Sequence, residues 1–438
     1  MTHVFLTGAT GAMGSAGLRE LSKYPDKYYV TVLARHSKKN QKFLAPFIKN
    51  GVNVVWGDLL DKDAIRRGIG NAEIVLHVGG MVSPEADKFP EKTMSVNIGA
   101  MQNICDAIKD VETQDKHRII SLVYIGSVSQ YGPHMPPNHW GGVGMPLLPA
   151  KYDAYAYSKI EAERIMVSSG IRRWVSLRQT GILHPGLLSK ANNPTIFHVP
   201  LRGVLEWVTV EDSGRLLEAV CRPEVPDSFW CDFYNIGGGK HFRMSNLEFE
   251  RGILSAIGCP APEKIFNPEW FATDNFHGIW YTDSDVLEDI LHFRGKETAK
   301  EWFEKTSKKL PAYYRLAKIV PAGIIKTFMK NVASSSPMGT LSILKHDDKD
   351  KIEAFWGGRA SHSKIKGWKE FQELSLDKDT PESSSLDRMI TDIESKENLS
   401  NELSEKICQH GHKYLTSPLL SIRGGHSCPY CLRLHCKV

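Results

Sequence analysis

Short apolar runs alternate with longer stretches of helical spacing through the first part of the chain. His3–Leu6, Tyr29–Leu33, Val52–Trp56, Ile74–His77, Ile119–Ile125 and Val175–Leu177 lack the in-out alternation of half-buried strands and read as strands covered on both faces. Between them, Gly14–Lys23 and Asn97–Lys109 carry apolar residues at helical spacing. Such strand–helix alternation predicts an α/β fold, a doubly wound parallel sheet of Rossmann type. No self-similarity at the spacing of repeat proteins interrupts it.

From Leu183 the pattern turns irregular, with Pro, Gly and aromatic residues among short helical stretches. The expected organisation is a Rossmann core over 1–182 and a smaller substrate cap, interleaved with the core, over 183–310. A basic, partly apolar region follows over 311–376, then a polar tether over 377–404 and a Cys/His-rich tail over 405–438.

Composition bounds the function classes. A chain of 438 residues exceeds what one core usually serves, and 41% apolar with 24% charged residues excludes global disorder and a fibrous or disulfide-dense chain. The net charge of +5 implies no nucleic-acid partner. It is segmental, however: between Lys305 and His346 there are eight Lys or Arg residues and no Asp or Glu. That stretch, with Tyr313, Tyr314, Ile324, Ile325 and Phe328 among its bases, fits packing against the core, and leaves a lid over substrate or peripheral membrane contact open. The N-terminal residues run straight into a strand, so no signal peptide is expected, and no apolar run has the roughly 20 residues of a membrane span. The expected compartment is the cytoplasm, where thiols stay reduced. A homodimer is left open.

The first strand leads into Thr7-Gly8-Ala9-Thr10-Gly11-Ala12-Met13-Gly14 and a helix. Glycines there allow a tight turn, close approach of the backbone to a pyrophosphate and close helix–sheet packing, with the helix N-terminus facing the anion. Where a carboxylate would hold the ribose of NAD, the second strand ends in Leu33-Ala34-Arg35-His36-Ser37-Lys38-Lys39. A basic Arg35 suits the extra phosphate of NADP, with NAD as the alternative.

These residues and those that follow resemble the extended branch of the short-chain dehydrogenase/reductase family, the NAD-dependent epimerase/dehydratase type, over roughly residues 3 to 290. Asp58 and Leu59 in Gly57-Asp58-Leu59 match its adenine contact, Val78, Gly79 and Gly80 the loop after its fourth strand, and Asn97 a helix position that supports the active site. Gly126-Ser127 matches the serine-bearing strand end, with Gly126 where the family often has serine, and Tyr155-Ala156-Tyr157-Ser158-Lys159 the Tyr-x-x-x-Lys signature. Arg178–Gly186, Trp207–Asp212 and Tyr234–Gly239 fit later landmarks. The resemblance implies an NAD(P)-binding fold with Ser127, Tyr155 and Lys159 as catalytic residues, and adds that Lys159 binds the nicotinamide ribose.

The residue types support that chemistry. Tyr155 and Lys159, four apart, share a helix face, and a nearby ammonium would favour the phenolate and lower the tyrosine pKa. Tyr155 would exchange a proton with a carbonyl or alcohol oxygen that Ser127 holds in register, while hydride moves at the nicotinamide. Tyr157 is expected to pack or line the pocket. In the tail, Cys408, His412, Cys428 and Cys431 form two knuckles suited to one tetrahedral zinc, with His410, His426, His435 and Cys436 as competing ligands. This tail resembles small treble-clef or zinc-ribbon modules, and a closed site of this kind is expected to be structural and remote from catalysis.

The expected function is an NADP-dependent ketone reductase or alcohol dehydrogenase acting on a medium-sized, apolar small molecule, sterol-like or polyketide-like. The rivals are a nucleotide-sugar epimerase or dehydratase and a cofactor-sensing binding protein. A basic diphosphate clamp in the cap would favour the sugar nucleotide. Phe229–Trp230, Trp270–Phe271, Phe276 and Trp280 tilt the expectation toward an apolar cap.

Overall fold

In a computed structural model the described residues are 1–190, 193–310, 317–372, 376–381 and 399–438. Seven strands form one parallel sheet: β1 (Thr2–Thr7), β2 (Tyr28–Ala34), β3 (Asn53–Trp56), β4 (Ile74–His77), β5 (Ser121–Ser127), β6 (Trp174–Gln179) and β7 (Asp232–Ile236). Their order is β7-β6-β5-β4-β1-β2-β3. Parallel neighbours need crossovers, and those between the first strands are α1 (Ala12–Leu21), α2 (Lys38–Lys49) and α3 (Lys62–Ile69). The helices α4 (Pro90–Gln114) and α5 (Ala154–Ser168) flank β5, and α6 (Val210–Ala219) lies against α1. Both sheet faces are covered, which is why these strands read as apolar runs. Val4, Leu6, Val32 and Leu76 face one core, and Phe5, Leu33, Val75 and Leu122 the other. The chain changes winding direction between β1 and β4, so the carboxyl ends of those strands open a crevice where the glycine turn lies.

The last sheet strand, β7, comes from the irregular half of the sequence, between cap segments. Phe229 and Trp230, read from sequence as cap aromatics, therefore pack into the sheet core with Tyr234. Trp270 and Phe271 fill a separate cap core with Phe197 and Phe266, and Trp280 is fully buried against His139 and Trp140.

In the basic region, Tyr313, Tyr314 and Arg315 lie outside the described residues. Beyond them α7 (Ala322–Ala333) sets Met329 and Val332 into the cap core, while Ile324 and Phe328 are exposed. No helix among the described residues is long and apolar enough to cross a membrane. Of the expected polar tether, 382–398 lie outside the described residues. Its first residues lie on the cap, where Arg243 Nη1 donates to the Lys378 carbonyl at 2.8 Å and the Lys378 ammonium meets Glu248 at 2.7 Å.

The tail is seated on the core. Leu419 and Leu420 pack with Met166, Trp174 and Phe233, and Leu432 and Cys436 with Tyr157 and Ile160. Backbone bonds run from Leu147 N to Gly425 O and from Tyr152 N to Cys436 O. At the centre, Arg178 on β6 and Glu163 on α5 form a fully buried bidentate pair, Nη2–Oε1 2.7 Å and Nε–Oε2 3.1 Å. Arg178 also donates to Gly424 O at 2.6 Å, and His426 Nε2 lies 2.7 Å from Glu163 Oε1. Burial alone would raise the Glu163 pKa, but Arg178 and His426 outweigh it and hold the carboxyl well below the usual range. A buried charge of this kind is tolerated only while its partners stay.

Arg178→Met, which leaves the Glu163 charge uncompensated, is expected to lower the unfolding free energy of the full chain by about 3–5 kcal/mol in urea titrations. A loss below about 1 kcal/mol, the scale of a solvent-exposed pair, would contradict the central role assigned to this contact.

Candidate active site

The glycine turn begins where β1 ends. Thr7 is fully buried and faces away from the crevice: its Oγ1 accepts from Gly79 N at 3.0 Å and lies 2.9 Å from His77 Nδ1, so it ties β1 to the loop after β4. Burial pushes the His77 pKa down to about 3, leaving a neutral ring in this bond. Gly8 has φ +74°, and a Cβ there would come within 2.7 Å of the Gly79 backbone. A Cβ on Gly14 would meet Gly8 O at 2.2 Å. Only glycine lets the turn, the β4 loop and the start of α1 approach so closely. The first turn of α1 carries no acidic residue, so its N-terminus presents an unopposed positive dipole to the crevice.

A cavity of about 1420 Å³ runs from this turn to the cap. At the dinucleotide end it is lined by Gly8, Thr10, Gly11, Ala12, Met13 and Gly14, by exposed Arg35, and by Asp58, Leu59, Val78, Gly79 and Gly80. The Asp58 carboxylate caps the backbone of Leu60 at 3.1 Å. Asn97, expected among the cofactor contacts, is not on the cavity wall. It accepts from Met81 N at 2.8 Å and donates to Ser158 Oγ at 2.9 Å, bracing the β4 loop against α5.

Ser127, Tyr155 and Lys159 line the middle of the cavity. Asp153 caps α5 through Ala156 N at 2.8 Å, which sets the helix so that Tyr155 and Lys159 share the cavity face. The Ser127 hydroxyl lies beside Tyr155 and accepts from Ser129 N at 3.2 Å. Gln130 Oε1 accepts from Ser127 N at 2.7 Å. A Cβ on Gly126 would meet that same oxygen at 2.6 Å, so Gly126 is glycine because Gln130 braces the serine.

The electrostatics differ from the sequence expectation. Burial raises the Tyr155 pKa to about 12, with Ser127 acting in the opposite direction. Lys159 gives its ammonium to the Ile125 carbonyl at 2.6 Å, 4.7 Å from the Tyr124 ring, and burial lowers its pKa to about 7. Four residues of helical spacing bring the pair to one face, but the nearest acceptor to the lysine is a backbone carbonyl. Tyr157 packs with Val128, Tyr131 and Ile160 and does not line the cavity.

The cap wall holds residues that sequence reasoning missed. Of the aromatic residues expected to make the cap apolar, Phe276 alone lines the cavity; Leu187, Ile196, Val199, Leu205, Trp207 and Phe249 form its apolar surface. Trp207 and Phe249 stack with ring centroids 4.3 Å apart and planes 7° from parallel. Among the described residues from 179 to 278 that line it, none is Lys or Arg, and the one acid is Glu250.

In the tail, Cys408 and His412 flank the turn of a hairpin (Ser404–Ile407 and Lys413–Thr416), and Cys428 and Cys431 open α8 (Pro429–Cys436). The ligand atoms of these four residues lie within 4.8 Å of one another. Cys408 Sγ is 3.6 Å from Cys431 Sγ, and each is 3.4 Å from His412 Nδ1. These separations match the edges of a tetrahedron with metal–sulfur bonds of about 2.3 Å. Of the competing ligands, His426 is engaged by Glu163, His435 by the Pro149 carbonyl at 3.1 Å, and Cys436 is buried in the core. His410 Nδ1 stands 3.3 Å from Cys431 Sγ, beside the cluster.

Residues 4–178 match the model of the NAD dependent epimerase/dehydratase family. Over 145 residues the chain is 26% identical to 3 beta-hydroxysteroid dehydrogenase type 7 of Mus musculus, an alignment covering 31% of this chain and 38% of that protein. It is also 26% identical over 218 residues to the NAD-dependent glucose-6-phosphate dehydrogenase of Haloferax volcanii, covering 49% and 78%. A solved dTDP-glucose 4,6-dehydratase from Streptomyces venezuelae with NAD bound superposes with a TM-score of 0.56 at 18% identity, covering 75% of this chain and 100% of that one. A UDP-glucose 4-epimerase from Bifidobacterium longum in complex with NAD+ and UDP gives 0.52 at 18%, covering 70% and 97%. These likenesses establish a shared fold.

Proposed function

For a chain whose residues 4–178 match the model of the NAD dependent epimerase/dehydratase family, we propose an oxidoreductase that interconverts a carbonyl and an alcohol on a neutral, largely apolar substrate. One observation carries this reading: the cavity that begins at the glycine turn ends in a cap wall with no Lys or Arg among its described residues. A nucleotide sugar would bring a diphosphate, and the wall offers it no Lys or Arg among its described residues. The sugar-nucleotide epimerase or dehydratase reading, which the solved neighbours would invite, lacks that clamp.

The donor set fits a dinucleotide. The glycine turn and the α1 N-terminus would hold the pyrophosphate, Asp58 and Leu59 the adenine side, and Val78–Gly80 the face of the loop after β4. NAD is the cofactor of the family and of the solved neighbours. Arg35, with no acid between Leu33 and Gln41, supports a preference for the 2′-phosphate of NADP. When bound, the nicotinamide supplies or accepts hydride.

Proton handling falls to the chain's own residues. Tyr155 Oη gives its proton to the substrate oxygen during reduction and takes one from the alcohol during oxidation, while Ser127 Oγ holds that oxygen in place. A pKa near 12 suits a tyrosine that waits protonated to act as an acid. Lys159, which spans from α5 to the Ile125 carbonyl, would bind the nicotinamide ribose, as the family resemblance implies.

We assign Cys408, His412, Cys428 and Cys431 to one structural zinc. Three sulfurs and one ring nitrogen fill a tetrahedron and leave no position for substrate. The metal would join the hairpin to α8, and thereby hold the tail that Arg178 and Glu163 grip against α5.

Three measurements follow. Arg35→Asp should weaken NADPH binding at least about tenfold more than NADH binding in calorimetric titrations, and equal losses would remove the NADP preference. Elemental analysis should find one zinc per chain, and chelation should lower the melting temperature, because the tail is part of the packed core. Protein purified without chelators yet free of metal would refute the site. Tyr155→Phe should cut turnover about 100-fold or more at saturating substrate with NADP(H) affinity preserved, whereas near-normal turnover with chemistry rate-limiting would exclude Tyr155 as the acid.

A further inference from the structure

Six acidic residues are buried among the described residues: Glu163, Glu206, Asp212, Glu218, Asp232 and Glu250. Five have protein partners. Glu163 holds Arg178, Glu206 holds Arg243 at 2.9 Å, and Asp212 holds Arg215 and Gly295 N. Glu218 holds Arg222 and Tyr28, and Asp232 holds Arg423. This molecule satisfies its buried carboxylates thoroughly, as proteins must when charge leaves water.

Glu250 is the exception. It is 8% exposed, on the cap helix Asn246–Ile257, and has neither a hydrogen bond nor an ion pair among the described residues. It lines the large cavity beside Phe249, in a stretch of wall from 179 to 278 that holds no Lys, no Arg and no second acid among its described residues. Burial, acting alone, pushes its carboxyl up to about 7. An unpartnered acid in such a place costs stability, and an apolar residue of similar size would fill the wall without that cost. The group that completes it must come from the cavity.

Building on the neutral, apolar substrate proposed above, we propose that the Glu250 carboxyl binds a hydroxyl group on the part of the substrate that enters the cap. The enzyme would then select hydroxylated apolar ketones, or the corresponding diols, over otherwise identical molecules lacking that hydroxyl. The selection works chiefly through the penalty for the unmatched molecule, which buries the carboxyl against hydrocarbon and removes the last water able to serve it. Phe249 and Trp207, stacked beside it, bind the hydrocarbon frame of both molecules and do not discriminate between them.

The test uses the full chain loaded with NADP(H) and two probes: a saturated tetracyclic ketone bearing a hydroxyl at its far end, and the same ketone without it. Dissociation constants are measured by calorimetry and turnover by nicotinamide absorbance, for the native protein, Glu250→Gln and Glu250→Leu. The native protein should bind the hydroxylated probe at least about tenfold more tightly. Glu250→Leu should bring the two probes within about twofold by weakening the hydroxylated one, with binding of the other retained as an internal check on folding. Glu250→Gln, whose amide still accepts a hydrogen bond, should keep part of the preference. A native preference that Glu250→Leu leaves unchanged, no native preference, or binding of neither probe overturns the assignment. Turnover of both probes without preference removes the Glu250 role and leaves the oxidoreductase reading standing. A Glu250-dependent preference without turnover supports the hydroxyl site while removing the redox reading.

Discussion

The buried Arg178–Glu163 pair is the contact on which three separate parts of the molecule converge. Glu163 lies on α5 four residues beyond Lys159, Arg178 on the strand beside the serine-bearing β5, and Gly424 and His426 belong to the tail. Each charge is buried, so each must be satisfied or the region cannot stay dry. Arg178 spends its fork on Glu163, Tyr131 and the Gly424 carbonyl, and Glu163 accepts from Arg178, Ser176 and His426. Helix α5, the central sheet and the Cys/His tail are thereby joined in a single polar network.

A second buried pair plays the same part in the cap. Glu206 receives Arg243, the Gly239 and Tyr281 backbone N–H groups and the Ser284 hydroxyl. Arg243 reaches on to Lys378 and Thr380, bringing the start of the polar segment onto the cap. The buried carboxylates of both networks are thus fully engaged by protein donors. The contrast with them gives the lone Glu250 carboxyl its meaning.

The site is also economical in backbone. A Cβ at Gly8 or at Gly14 would come closer to the facing backbone than any side chain permits, and Thr7 locks the approach from behind. Gly126 makes room for Gln130, which braces Ser127, and Asn97 braces α5 next to Lys159. Thr7 and Asn97, expected among the cofactor contacts, lie behind the cavity wall and brace the loop after β4.

The sequence by itself determined the parallel sheet, the glycine turn and the spacing of Tyr155 and Lys159, because periodicity, turn chemistry and helical offset are local properties of consecutive residues. It likewise marked Cys408, His412, Cys428 and Cys431, whose paired spacing is local too. What only the tertiary structure decided concerns residues distant along the chain. Lys159 turned to a carbonyl of the neighbouring strand, Thr7 and Asn97 faced inward, and the tail docked on the core through a buried charge 246 residues from its partner carbonyl. The cap's character was the least legible part. Aromatic content does not say which rings face a cavity: Trp270 and Phe271 fill a core, Phe229 and Trp230 back a seventh strand, and the lining is assembled from Leu187, Ile196, Trp207, Phe249 and Phe276, brought together only by folding. Whether a buried acid such as Glu250 has a partner is a question of three-dimensional proximity, and no pattern along one chain can answer it.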